Sequence, residues 1–182
     1  MSVLIAAVIG AAGLLQTGVE AGVYAALLSQ SYHGVPASRM VVKDTAVAMP
    51  TLRGSSSEWL KEFDEIPIEL RQLASRPSPT QPHRLDASVF PTQTRLVRAS
   101  AIETIFTGSG VEENWSAFRT QVKAQGWLAF SDVLVAGGQL NALVYYEARC
   151  GGLCGEGGYV WLRRDTVGSP RRITKKIVSW MS

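Results

Sequence analysis

A chain of 182 residues, 46% hydrophobic and 18% charged, has the length and composition of one globular domain with a buried core, which excludes a disordered chain. The formal net charge of +3 is modest, so no strong overall field favours a polyanionic partner.

Val3 to Leu15 is an unbroken run of Val, Leu, Ile, Ala and Gly. At thirteen residues it is too short to span a bilayer comfortably and suits the core of a signal peptide. Val19-Glu20-Ala21 offers the small-residue cleavage site, which would leave Gly22 as the first mature residue. Residues 1–21 are thus expected to be a signal peptide and residues 22–182 a single domain, exported to the periplasm or beyond, with no stable membrane span after processing. No lysine or arginine precedes the run, the first basic residue being Arg39, and Glu20 sits beside the cut. A buried helix or an uncleaved anchor is therefore the competing reading.

Val19 to Ser31 predicts a helix on Val23, Leu27 and Leu28, flanked by Tyr24 and Tyr32 and ended by Gly34-Val-Pro36. Met40 to Val47 is rich in β-branched residues and predicts a strand. Ser55 with Glu58 forms a capping box ahead of Trp59, Leu60 and Phe63, and Pro67 suits the first turn of a helix carrying Ile68, Leu70 and Leu73. Pro77, Pro79 and Pro82 mark an extended loop. Thr94 to Ala99 predicts a strand. Ser109 with Glu112 forms a second capping box, and Val111, Trp115, Phe118 and Val122 recur at helical spacing until Gly126.

From Trp127 the period changes to short β-rich runs: Phe130–Val135, Ala142–Arg149, Gly158–Arg164 and Arg172–Met181, separated by Gly-Gly, by Cys150-Gly-Gly-Leu-Cys154-Gly-Glu-Gly158 and by Gly168-Ser-Pro170. The expected fold is α+β, with N-terminal helices packed on one face of a C-terminal antiparallel β-meander. The glycines around the cysteines are expected to supply positive φ angles for a bulged hairpin connection. Leu143 and Tyr145 alternate with Ala142, Val144 and Tyr146, and Tyr159 and Trp161 with Val160 and Leu162. Both sheet faces therefore carry apolar groups, and the face away from the helices is expected to expose aromatic rings for partner contact. Cross-strand aromatic pairing is the alternative reading of those rings.

Cys150 and Cys154 are the only cysteines. In an oxidising compartment their place in a hairpin favours a structural disulfide. A redox-active pair and a metal site are the other readings. Against them stand the Cys-x3-Cys spacing, no predicted helix start after the pair, and only His33 and His83 as further soft ligands. The glycines are not followed by Lys-Ser or Lys-Thr, so they make no phosphate loop. Ser131 with His83 and Asp44 has no sequence signature of a nucleophile elbow. Glu147 and Glu156 flank the turn; an acid–base pair is one reading, an outer-face residue and a solvated turn residue the other.

Arg163, Arg164, Arg171, Arg172, Lys175 and Lys176 face only Asp165 across the last twenty residues. This reads as the solvated face and edge of a terminal hairpin. Nucleic acid is not the expected partner, since no aromatic interleaving accompanies the cluster.

The order Trp115-Ser-Ala-Phe118, Gly126-Trp127, Phe130-Ser131, Ala142-Leu-Val-Tyr145, the cysteine turn and Ser179-Trp180-Met-Ser182 resembles a widespread family of uncharacterised exported bacterial proteins. Val23-Tyr24-Ala-Ala-Leu-Leu28 and Asp44-Thr45 are similar to its opening helix and first strand. The chain departs from that pattern at Ser131-Asp-Val-Leu-Val135 and Pro170-Arg-Arg-Ile173. The resemblance implies export and architecture, and no catalytic residue.

The functional expectation is a non-catalytic exported binding protein, with no cofactor or metal, that meets an unknown protein or envelope component. Its candidate surface is Tyr146, Gly151, Gly152, Leu153, Glu156, Tyr159 and Trp161, held rigid by Cys150–Cys154. The alternative is an enzyme acting at that turn, by thiol–disulfide exchange or by hydrolysis through Glu156.

Overall fold

The computed structural model describes residues 18–51, 61–76, 82–108 and 110–182. The run Val3–Leu15, the Ser55–Glu58 box with Trp59 and Leu60, Pro77, Pro79 and Ser109 lie outside them.

Residues 18–28 are helical (α1) and bury Val19, Val23 and Leu27, which recur every four residues along one stripe. The expected cleavage site Val19–Ala21 is part of this helix, and Val19 is only 4% exposed. Ser31–Tyr32 (β1) and Val35–Pro36 (β2) then form a small hairpin. His33 and Gly34 make its turn with φ of 47° and 80°, the left-handed pair that a two-residue connection requires.

The remaining elements are Met40–Lys43 (β3), Ile68–Ala74 (α2), Leu96–Val97 (β4), Ala99–Ile105 (α3), Val111–Val122 (α4), Gly126–Phe130 (β5), Leu134–Ala136 (β6), Asn141–Gly151 (β7), Cys154–Arg163 (β8) and Arg172–Met181 (β9). Together they make an α+β protein. The main sheet runs β4-β3-β5-β7-β8-β9, with β6 also paired to β7. Strands β7, β8 and β9 are consecutive and antiparallel, while the expected first run Phe130–Val135 is divided between the end of β5 and the start of β6. The sheet as a whole is mixed, because β3 lies parallel to both β4 and β5.

Helices cover both faces, not one. On the first face α1 packs on Val42, Leu128, Phe130, Val144, Tyr146 and Val160. On the second, α2 with Phe63 and Ile66 covers Leu143, Tyr145, Tyr159, Trp161 and Ile177. Further along that second face α3 and α4 cover Val41 and Trp127 through Ile102, Trp115 and Phe118. The reason is the run Ala142–Tyr146, buried at every position: a strand without polar alternates must be covered on both sides.

Two local details set the geometry around the turn. Helix α4 ends on Lys123, left-handed at φ 55°, and not on Gly126. Gly126 instead opens β5, where a Cβ would stand 2.2 Å from the Arg149 carbonyl oxygen. Between β5 and β6 the ladder is broken at Ser131: its backbone N–H donates to the Tyr145 carbonyl and its Oγ accepts from the Tyr145 N–H, both at 2.9 Å. Ser131 is thus committed to the sheet, while His83 pairs with Asp132 at 2.9 Å and Asp44 with Arg84 at 3.2 Å, so these residues form no catalytic triad.

Candidate functional site

The turn between β7 and β8 is Gly152–Leu153, and Cys150 and Cys154 are joined in a disulfide with their Cα atoms 5.0 Å apart. A register shift between Arg149 and Gly151 makes the bulge that brings the two cysteines together. None of the five glycines here has a positive φ, contrary to expectation. They are needed for close approach. At Gly152 a Cβ would lie 2.8 Å from the Val111 methyl of α4, and at Gly157 it would lie 2.2 Å from the indole nitrogen of Trp180. Trp180 lies against that bare strand, donates to Tyr145 Oη at 2.9 Å, and has the Arg149 guanidinium 4.2 Å over its ring.

Because Gly152 lets the stapled turn dock on the start of α4, the turn becomes one wall of a hollow of about 350 Å³. The opposite wall is α3 and the loop after it, through Ile102, Glu103 and Phe106. Trp115 and Val111 come from α4, Trp127 of β5 completes the aromatic wall, and Lys43 of β3 and Arg149 of β7 form the floor. Arg119 ties the assembly together, donating to the Cys150 carbonyl at 3.3 Å with its guanidinium 5.9 Å from the Trp115 ring. The Phe106 and Trp115 rings meet edge to face at 4.9 Å, which fixes both aromatic walls.

The hollow is polar at its floor. Lys43 Nζ sits 4.2 Å over the Trp127 ring, a cation–π contact. Burial pulls the Lys43 ammonium below its usual value; Glu103 and Glu147 oppose that shift and Arg149 adds to it. Aromatic walls and fixed cationic groups in one concavity match the chemistry of a small-ligand pocket.

The predicted contact surface is divided among four environments. Gly151 and Gly152 line the hollow, and Leu153 stands at the tip, 89% exposed. Tyr159 and Trp161 are core residues under α2, and Tyr146 is core on the α1 side, so none of the three presents an outer aromatic face. The second layer of helices covers them. Glu156 is not a solvated turn residue: it is 6% exposed, accepts from Tyr146 Oη at 3.3 Å and pairs with Lys176 Nζ. Register places Glu156 opposite Ala148 and Gly157 opposite Glu147, so the two glutamates point to opposite faces and cannot share a substrate as acid and base.

The C-terminal basic cluster is likewise dispersed. Arg172 pairs with Asp165, Lys175 with Glu62 and Glu65, and Lys176 with Glu156, while Arg164 and Arg171 are buried. Among the described residues, no three His, Cys, Asp or Glu side chains are grouped to hold a metal ion.

Lys43, Ile102, Glu103, Phe106 and Arg149 were not among the sequence candidates. The signal that could have found them is the aromatic density from Phe106 to Trp127, which is spread over two helices and a strand. Compared with known protein families, characterised proteins and solved structures, the chain matches none.

Proposed function

We propose that the protein is an exported, non-catalytic binding protein whose site is the aromatic hollow beside the stapled turn. The observation that carries this is the wall of Phe106, Trp115 and Trp127 over the cationic floor of Lys43 and Arg149. Its size admits one ring or side-chain-sized group of a protein or envelope component. The disulfide serves this role by holding Gly151 and Gly152 against α4, so that the wall is preorganised. Export is supported by that disulfide, by the apolar run Val3–Leu15 and by the resemblance to exported bacterial proteins. No described helix is long and apolar enough to cross a membrane. Hydrolysis through Glu156 draws no support from a carboxylate that is buried and ion-paired.

Indole N–H resonances test the site directly. Titration with phenol or phenylpropionate should shift the Trp115 and Trp127 signals saturably and leave Trp161, under α2, unmoved. Val111 lines the mouth and is 57% exposed, so Val111→Trp should fill it and abolish those shifts, with an unmoved Trp161 signal reporting that the fold is kept. Shifts that persist unchanged in Val111→Trp, or no response to either probe, would overturn the assignment. For export, residues 1–21 fused to a phosphatase active only in an oxidising compartment should give activity outside the cytosol; an inactive fusion counts against it.

A further inference from the structure

A second hollow, of about 400 Å³, lies at the far end of the β7–β8 hairpin from the disulfide, lined by Gly18, Val19 and Gly22 of α1, by Gln139, and by Arg164 and the Val167–Arg171 loop. Arg164 and Arg171 are each only 8% exposed, and neither forms an ion pair among the described residues. Asp165, the one acid in the loop, is held by Arg172 at 2.9 Å. The bonds that the two guanidinium groups do make go to neutral acceptors. Arg164 Nε donates to the Gln139 carbonyl and its Nη2 to Gln139 Oε1, both at 2.9 Å. Arg171 Nη2 donates to the same Gln139 carbonyl at 2.7 Å, and its Nη1 reaches the Leu140 carbonyl at 3.5 Å.

Two like charges are thus brought together, nearly dry, around one carbonyl oxygen. Removing ionised groups from water is costly unless an opposite charge compensates. Burial, and then the neighbouring Arg164, pull Arg171 down to about 10. Arg164 Nη1 and Arg171 Nε make no hydrogen bond among the described residues, and both arginines line the hollow. Gly18 and Gly22 contribute no side chain to the hollow, and Val19, Val167 and Pro170 line it with apolar carbon.

We propose that this hollow is an oxyanion site, taking the phosphate or carboxylate group of a small organic ligand between Arg164 and Arg171 while the apolar part of the ligand lies on Val19, Val167 and Pro170. Guanidinium forks match the paired oxygens of either group, and the ligand supplies the ion pair that neither arginine makes among the described residues. The site is independent of the aromatic hollow. Processing after Ala21 would remove Gly18 and Val19 and leave the two arginines with Val167 and Pro170 as the site.

Thermal unfolding at constant ionic strength, adjusted with chloride, tests the proposal using phenyl phosphate, benzoate and inorganic phosphate. A saturable rise in Tm is expected, roughly 3–6 °C at ten times the dissociation constant. Phenyl phosphate acting at lower concentration than benzoate identifies phosphate as the preferred head group, and the reverse order identifies carboxylate. Either aromatic anion acting below inorganic phosphate confirms the apolar wall. Arg171→Gln should abolish the response. Since that change also removes bonds to Gln139 and Leu140, Val167→Glu provides a second variant at a 65% exposed loop position. It places a carboxylate beside the arginines, and should keep the fold while suppressing the response at least tenfold. No saturable shift above that of chloride, or an equal shift in Val167→Glu, would refute the site.

Discussion

The hairpin of β7 and β8 is fastened at its two ends by opposite chemistry. At the turn the fastening is covalent, Cys150 to Cys154, and it introduces no charge. Its neighbours are therefore free to be apolar, and the hollow beside it is walled by Phe106, Trp115 and Trp127. At the open end Gly137, Gly138 and Gln139 turn through three consecutive left-handed residues, and Arg164 and Arg171 hold the Gln139 carbonyl. That fastening carries two positive charges into a nearly dry place, and the hollow beside it inherits their field. One end thus depends on oxidation state, the other on charge. The same two strands offer an aromatic site and an ionic one about a hairpin's length apart.

The largest expected effect ignores both ends and strikes between them. All five tyrosines (Tyr24, Tyr32, Tyr145, Tyr146 and Tyr159) have phenols raised above the usual value, with burial as the leading cause. In the unfolded chain they ionise near pH 10. The folded protein keeps them protonated, so this contribution to stability is complete below about pH 10 and is lost as pH rises toward the folded values. Cooperative unfolding above pH 10 is expected, with tyrosinate absorbance and loss of circular dichroism moving together. Tyrosinate appearing at pH 10 with the fold intact would mean the rings are not held as described.

Next comes the ionic end. Arg164→Ala deletes two charge-assisted hydrogen bonds and leaves the Gln139 turn with fewer donors, which should cost about 3 kcal/mol in urea denaturation. The covalent end follows. Replacing Cys150 and Cys154 together by serine should cost about 2 kcal/mol, since the closed loop is short. Reduction of the native protein should give a matching loss, and the response at Arg164 and Arg171 should survive it. A cysteine variant less stable than Arg164→Ala would reverse the ranking of the two fastenings.

How far the sequence reveals this differs by element. Helix α4 was legible, because Trp115, Phe118 and Val122 repeat at helical spacing and are buried as that spacing requires. Strand β9 matches the predicted Arg172–Met181 run. Helix α3 is not legible: it has seven residues, its N-cap Arg98 makes no side-chain cap, and it buries only Ile102. The parallel pairing of β3 with β5 depends on strands more than eighty residues apart, for which no local pattern exists. The cover on the second face of the sheet is illegible in the sequence for a related reason. Tyr159 and Trp161 alternate as an exposed aromatic face would, and only the docking of α2 and Phe63 covers them. Glu156 looked solvated among glycines, yet its partner Lys176 comes from the next strand. The cysteine turn itself was well marked, but its glycines proved to be spaces left for Val111 and Trp180.

Helix α1 has a consequence for the order of events in the life of the chain. The bonds from Val19 to Ala21 lie inside a regular helix, with Val19 pressed into the core. A peptidase needs its substrate extended in a cleft, so it acts on such a bond only while that stretch is open. Any maturation at Ala21 must therefore happen on the emerging polypeptide, before the helix closes. A molecule that folds first is committed to keeping Gly18 to Ala21 for good.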